Sequence, residues 1–158
     1  IFGAAWRERI TTSNRISNIG CHAGAFILGV QPLVKAGIIP AERVVSCSSL
    51  TGYSGGGKKM IAQYEATDRP AALQSPRPYA LGLTHKHLPE MRQHTGLQHA
   101  PIFHPAVAPY RQGLSVSVPL ALPDLPGAPK LADIHAALAD TYANELFVKV
   151  MPLGDDAT

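Results

Sequence analysis

The sequence predicts a single domain of the α+β class, with a largely antiparallel mixed sheet and helices packed on it. Helix-like and strand-like segments alternate along the chain, and two strand-like segments follow each other late in the chain, as in a hairpin. The 158 residues, of which 46% are hydrophobic, are enough to form one hydrophobic core. We find no internal repeat and no linker long enough to divide the chain.

In the first half of the chain, helices are predicted from apolar spacing and a strand from a run of β-branched and apolar residues. The expected elements are a short helix over 6–10, an extended segment over 15–19, a helix over 21–37, a strand over 43–50, a loop over 52–57 and a helix over 58–65. Gly37 is expected to end the long helix as its C-cap, because glycine readily adopts the conformation needed there.

In the second half, proline and glycine mark the boundaries of the predicted elements. These are a connector over 68–78, a strand over 79–84, a helix over 88–96, strands over 102–107 and 114–122, a connector over 122–129, a helix over 131–142 and a strand over 147–151. Pro119 indicates an edge strand or a bulge. The last helix is expected to place four side chains on one face: Leu131, Ile134, Leu138 and Tyr142.

Charge and composition argue against several classes of protein. The formal net charge is +3, and the basic residues are scattered rather than arranged in a stripe with aromatic residues, so we expect no nucleic-acid partner. No apolar run reaches the roughly 18 residues of a membrane helix. The two cysteines form neither a disulfide framework nor a zinc motif, which favours a cytoplasmic location and predicts no metal site.

The glycine-rich stretch GYSGGGKK, residues 52–59, is similar to a phosphate-binding loop. The spacing of Gly52, Gly57 and Lys58 fits that motif, but the position that should carry a magnesium-binding hydroxyl is Lys59. The glycines also lack the spacing of a dinucleotide fingerprint. We therefore do not predict a magnesium-nucleotide site from this loop.

Cys21 is a candidate nucleophile because it follows Gly20 at the start of a predicted helix. The first N–H groups of a helix are unpaired and carry a partial positive charge, which stabilises a thiolate. The same groups could hold the oxyanion that forms when the thiolate attacks a carbonyl. The alternative is a small packed cysteine, which is also how we interpret Cys47 in the middle of a strand.

Three further polar residues are candidates for acid/base chemistry, and one for binding an anion. If the chain is still extended at His85 and His87, both imidazoles point to the same side, and Glu90 follows within one turn. A histidine oriented by a carboxylate is suited to general acid/base catalysis. A metal pair is an alternative, but further ligands are not evident. Arg111 could bind a carboxylate or phosphate, or could form a surface ion pair.

Taken together, these segments resemble the N-acetyl-γ-glutamyl-phosphate reductase family in its shorter variety. The resemblance rests on Gly20-Cys21 and on four stretches: GYSGGGKKMI at 52–61, THKHLPEM at 84–91, PIFHPAVAPYRQGL at 101–114 and FVKVMPL at 147–153. It implies a fold like the C-terminal domain of glyceraldehyde-3-phosphate dehydrogenase. It also implies that the glycine-rich loop lines the substrate and nicotinamide site.

The resemblance implies an activity in arginine biosynthesis, the NADPH-dependent reduction of N-acetyl-glutamyl 5-phosphate to the 5-semialdehyde. Cys21 would form a thioester, and His87 would be the acid/base, oriented by Glu90, with His85 as the alternative. The implied substrate-binding residues are Ser54, Gly55, Arg111 and Asn18, and the implied cofactor-binding residues are Gly55 and Gly56.

The family joins a Rossmann-type NADP-binding domain to a catalytic and dimerisation domain, and residues 1–158 resemble the second domain alone. The chain lacks an initiating Met, so we expect a piece of a longer protein. Because it holds no dinucleotide fingerprint, the resemblance implies that NADP is bound mainly by the missing domain and that this piece is inactive alone. We also expect a homo-oligomeric assembly. The chain departs from the family's nucleophile motif at Ile19, His22 and Gly24. His22 is expected either to tune the thiol or to face solvent.

Two other functions compete with this one. A non-catalytic dimerisation or interaction domain is favoured by the departures near Cys21 and by the missing cofactor domain. A related reductase of a carrier-bound aminoadipyl phosphate would need a basic groove for its acidic carrier. Few basic residues lie near the predicted active-site segments, so we rank the carrier-bound substrate lower.

Overall fold

The computed structural model describes residues 4–154, which form five α-helices and four β-strands. The helices are α1 (Ala4–Thr12), α2 (Cys21–Lys35), α3 (Gly57–Glu65), α4 (Leu88–Thr95) and α5 (Leu131–Tyr142). The strands are β1 (Ser46–Gly52), β2 (Arg77–Pro78), β3 (Ile102–Ala108) and β4 (Leu114–Ser117). Within the described residues, no helix combines the length and the apolar character needed to cross a bilayer.

The four strands form one mixed sheet in the order β2-β3-β1-β4. The central strands β1 and β3 are parallel, while β2 pairs with β3 and β4 pairs with β1 in antiparallel fashion. The predicted α+β class with a largely antiparallel mixed sheet is confirmed. The expected late hairpin is wrong, because β4 lies on the far side of β1, where Ser48 is opposite Ser117.

The helices α2, α4 and α5 cover one face of the sheet and enclose the main hydrophobic core. Cys47 and Phe103, on the central strands, point into this core. The helices contribute the buried side chains Ala23, Phe26, Ile27, Val30, Leu33, Met91 and Ile134. On the opposite face, Ser48 lies between His104 and Ser117, and all three are exposed. The second face is therefore open at these three residues, while Ala108 at its end is buried.

Several predicted boundaries hold because local signals set them. The helix α2 ends just before Gly37, at φ +71°, and α4 ends at Gly96, at φ +83°, which is the left-handed conformation that glycine tolerates. The predicted strand over 114–122 stops at Ser117, before Pro119, since proline cannot donate a ladder hydrogen bond.

The prediction that Leu131 shares the buried face of α5 is wrong, because its side chain is 60% exposed.

Two predicted strands are wrong. Residues 79–84 form a turn in which Ala80 and Leu83 have left-handed φ angles of 54° and 56°. The short β2 just before this turn pairs with β3, and the Tyr79 N–H adds one hydrogen bond to Pro105 O at 3.0 Å. Residues 147–151 make no ladder, and the side chain of Phe147 is 95% exposed.

Candidate active site

A cavity of about 530 Å³ lies where the start of α2, the loop after β1 and the segment before α4 meet. Eight polar or ionisable side chains line it: Cys21, His22, Thr51, Arg77, Tyr79, His85, Lys86 and His87. Gly55 and Gly56 add main chain to the wall. The fold thus brings the predicted nucleophile, both predicted imidazoles and part of the glycine-rich loop to one cavity.

Cys21 is the first residue of α2, and its thiol is exposed. Gly20 precedes it as an N-cap in extended conformation, and its carbonyl accepts the Gly24 N–H at 2.8 Å. No side chain caps this end of the helix, so the N–H groups of the first turn are available next to the thiol. Cys47, in contrast, is fully buried, and burial raises the pKa of its thiol to about 12.

The His87 ring is buried and packs directly against Gly20. A β-carbon added to Gly20 would lie only 2.0 Å from His87 Nε2, so the ring and the helix start are in van der Waals contact. The buried Nδ1 of His87 has no hydrogen-bond partner among the described residues. Burial lowers the pKa of His87, while the charge of Glu90 partly opposes that shift.

Glu90 binds the main chain beside the nucleophile rather than an imidazole nitrogen. Its Oε2 accepts a hydrogen bond from the Gly20 N–H at 3.0 Å. This contact ties α4 to the residue that aims Cys21 into the cavity. The carboxylate acts on His87 through its charge.

His85 lies beside His87, with 4.6 Å between the ring centroids. Its Nδ1 accepts the His87 N–H at 3.2 Å, which leaves the proton of the neutral ring on Nε2. Burial lowers the pKa of His85, with a further lowering from the charge of His87. Both imidazoles are therefore held in the neutral form, which can accept a proton, near neutral pH.

The expectation that His22 faces solvent is wrong. Its side chain is 3% exposed, with Nδ1 2.6 Å from Ser49 Oγ and Nε2 2.7 Å from the Tyr79 hydroxyl. Burial lowers the pKa of His22 to about 4, and the neighbouring histidines add to this effect. Burial also raises the pKa of Tyr79 to about 12, with a smaller effect from the Cys21 charge. At neutral pH, His22 is uncharged and Tyr79 keeps its proton.

Three residues that the resemblance implied for substrate binding do not line this cavity. Ser54 lies in the turn Tyr53–Gly56, of which only Gly55 and Gly56 reach the wall. Arg111 is largely exposed, and its Nη1 lies 3.3 Å from Glu65 Oε1 in an ion pair. Asn18 lines a separate cavity of about 640 Å³ beside α1.

Sequence reasoning missed other residues on the cavity wall. Arg77 lies in a predicted connector and Tyr79 in a predicted strand, and neither was assigned chemistry. The Nη2 of Arg77 donates to the Tyr64 hydroxyl at 3.3 Å. Lys86 stands between the two predicted histidines, which is the one local signal that could have identified it. The described residues contain no cluster of His, Cys, Asp and Glu with a geometry suited to a metal ion.

Comparison with known proteins gives matches over most of the chain. The family described as semialdehyde dehydrogenase, dimerisation domain, matches residues 21–157. The N-acetyl-gamma-glutamyl-phosphate reductases of Brucella ovis and Brucella canis are each 43% identical over 152 residues, which are 96% of this chain and 49% of either relative. The chain thus spans about half the length of the curated relatives it matches.

Proposed function

Since the chain belongs to the semialdehyde dehydrogenase dimerisation-domain family, we propose that it is the cysteine-bearing part of an oxidoreductase that converts an acyl phosphate to an aldehyde. The names of its 43% identical relatives indicate the substrate, N-acetyl-glutamyl 5-phosphate, and hence a step of arginine biosynthesis. The observation that carries the proposal is the meeting of Cys21, His85 and His87 on one cavity wall.

In the proposed reaction, Cys21 Sγ attacks the acyl carbonyl, phosphate leaves and a thioester forms. The N–H groups in the first turn of α2 stabilise the oxyanion of the tetrahedral intermediate. The neutral imidazole of His87 or His85 accepts the thiol proton. Glu90 positions Gly20, and through it Cys21, by the hydrogen bond to the Gly20 N–H.

We assign the anionic groups of the substrate to Arg77 and Lys86. Both side chains border the cavity that holds Cys21. A guanidinium can bind a phosphate or carboxylate through two parallel hydrogen bonds. Arg111 is a weaker candidate, because its guanidinium is paired with Glu65 away from this wall.

The nicotinamide cofactor of the proposed reaction is NADP, whose reduced form, NADPH, would supply the hydride to the thioester. The aldehyde would then leave, and the Cys21 thiolate would be restored. Gly55 and Gly56 fit such a neighbour because they present bare main chain to the cavity. A β-carbon on Gly56 would meet Met60 Sδ at 2.4 Å, so the loop needs glycine there. The chain has no dinucleotide fingerprint, and we assign the remaining NADP contacts to residues outside it. Two free cysteines favour a reducing compartment such as the cytoplasm.

Acylation of the chain by p-nitrophenyl acetate tests this proposal without cofactor. We expect one equivalent of p-nitrophenolate to be released in a burst, with the acetyl group found on Cys21 by peptide mass spectrometry. Cys47 should stay unmodified because it is buried and its pKa is raised to about 12. The Cys21→Ala variant should show no burst, while Cys47→Ala should keep it. Acetylation of Cys47 instead, or an unchanged burst in Cys21→Ala, would overturn the proposal.

A second function, self-association, is favoured by the bare face of the sheet. The matching family is described as a dimerisation domain. On the second face, Ser48, His104 and Ser117 form an exposed row across three strands, next to which the side chain of Ile102 is 47% exposed. We propose that two copies pair through this face across a two-fold axis, so that the assembly is a homo-oligomer.

Substitution Ile102→Glu is expected to shift the chain from dimer to monomer, because pairing would bury the new carboxylate without a partner. The measurement is the mass in solution by sedimentation velocity across a concentration series. Leu131→Glu is the matched control: this leucine is 60% exposed but lies on α5, on the helix side of the sheet. A wild-type chain that is monomeric at every concentration, or equal masses for the two variants, would contradict pairing through this face.

A further inference from the structure

A chain of hydrogen bonds runs from the central strand of the sheet to the wall of the cavity. Ser49 on β1 and His22 on α2 are both buried, at 4% and 3% exposure. The ring of His22 joins the Ser49 hydroxyl on one side to the Tyr79 hydroxyl on the other. Phe103 packs edge-on against the same ring, with centroids 5.4 Å apart. The position of the Tyr79 hydroxyl is thus fixed through His22 by a residue of the sheet.

The position of the single proton on the His22 ring decides whether the Tyr79 hydroxyl can donate a hydrogen bond into the cavity. The neutral ring of His22 carries a single N–H. If that proton is on Nε2, the ring donates to the Tyr79 oxygen, and the Ser49 hydroxyl donates to Nδ1. The Tyr79 O–H is then free to donate to a group in the cavity. A negative charge in the cavity favours this arrangement, because it points an O–H donor at the charge.

We propose that Tyr79 donates a hydrogen bond to the carbonyl oxygen that becomes negative when Cys21 is acylated, and that His22 positions Tyr79 for this contact. The proposal deepens the proposed function and rests on it. Tyr79 and Cys21 line the same cavity. Burial is the main cause that raises the pKa of Tyr79, and a negative charge on Cys21 raises it further, as a charge across a shared cavity does. His22 itself has both ring nitrogens engaged, so it acts through Tyr79.

Two reagents that react with the same thiol separate this role from a general effect on the cysteine. In acylation by p-nitrophenyl acetate, the Sγ–carbon bond forms, an oxyanion develops, and p-nitrophenolate leaves with the electrons of the broken ester bond. Alkylation by iodoacetamide displaces iodide and forms no oxyanion. In Tyr79→Phe we expect acylation to slow by about 100-fold, as for loss of one oxyanion donor, while alkylation keeps its rate. An unchanged acylation rate, or an equal loss in both reactions, would overturn the proposal.

The role of His22 is tested by combining substitutions. His22→Phe should slow acylation as Tyr79→Phe does, and the double variant should be no slower than either single variant, because both remove one unit. Additive losses would show that His22 acts independently of Tyr79 and would overturn its positioning role. Should His22→Phe fail to fold, the Tyr79→Phe comparison still decides the contact with the oxyanion. If the wild-type chain is not acylated at Cys21, the proposed function fails. If it is acylated and Tyr79→Phe is equally fast, only the contact from Tyr79 fails.

Discussion

Replacing Gly20 by alanine is expected to reduce acylation of Cys21 by about 100-fold or more, as misplacement of a catalytic group by about 1 Å can do. The new β-carbon would lie 2.0 Å from His87 Nε2 and 2.2 Å from Cδ2, distances that no carbon atom can keep. Because His87 is buried, relief requires that its ring leave the cavity wall or that the start of α2 move. Gly20 has φ −63°, which any residue adopts, so the requirement for glycine is one of space.

The same substitution is expected to destabilise the fold by about 1–3 kcal/mol, the usual cost of overpacking. It would also disturb the hydrogen bond from the Gly20 N–H to Glu90. Gly24→Ala is the matched control, since its β-carbon would meet only Ile19, at 3.6 Å. In the helix interior, this change should stabilise the fold by about 0.5–1 kcal/mol and leave acylation intact.

Urea unfolding and the p-nitrophenolate burst measure the two effects on the same preparations. If Gly20→Ala unfolds at the wild-type urea concentration and is acylated at the wild-type rate, His87 does not pack against Gly20 as described. If both alanine variants lose acylation, the effect comes from the helix and not from the contact with His87.

The parts of the fold that sequence patterns predicted are those with local causes. Glycines at 37 and 96 end helices because the left-handed conformation is needed there. The position of β4 had no local signal, because the chain after β3 returns along the end of β1, where the Gly52 N–H donates to Gly113 O at 2.9 Å. The apolar pattern over 79–84 predicts a strand, and the turn found there has no local signal at the two positions that form it, because Ala80 and Leu83 adopt left-handed angles without being glycine.

The residues of the candidate site also fall into those with a local sequence signal and those without one. Cys21, His85, His87, Gly55 and Gly56 came from short motifs, and the structure places all five on one cavity. The burial of His22 depends on Ser49 and Tyr79, which are distant in sequence and meet only when the sheet forms. The choice between Arg111 and Arg77 likewise depends on where Glu65 lies, which spacing along the chain does not specify.

Acidification is expected to destabilise the fold because protonation of His22 is harder in the folded chain than in the unfolded chain. Its pKa falls from the ordinary 6.5 to about 4 on folding. The stabilisation is therefore fully present above pH 6.5, falls progressively as the pH drops from 6.5 towards 4, and is gone below 4, since the unfolded chain binds the proton first. His85 and His87 shift in the same direction. We expect protonation of His22 to lower the free energy of unfolding by about 2 kcal/mol. This is less than the full pKa shift would give, because water in the adjacent cavity screens the charge of the ring.

Urea unfolding at pH 7 and at pH 4.5 measures this loss, and comparison with His22→Gln isolates the contribution of one ring. The variant has no imidazole to protonate at this position, so its stability should fall by about 2 kcal/mol less than that of the wild type over the same interval. His99→Gln, which removes an exposed histidine, should follow the wild type. If wild type and His22→Gln lose equal stability, the buried ring is not the group that the acid protonates, and water rather than protein surrounds it. In that case the Tyr79 hydroxyl would also lose its fixed partner, because the same burial that disfavours the proton on His22 holds the ring between Ser49 and Tyr79.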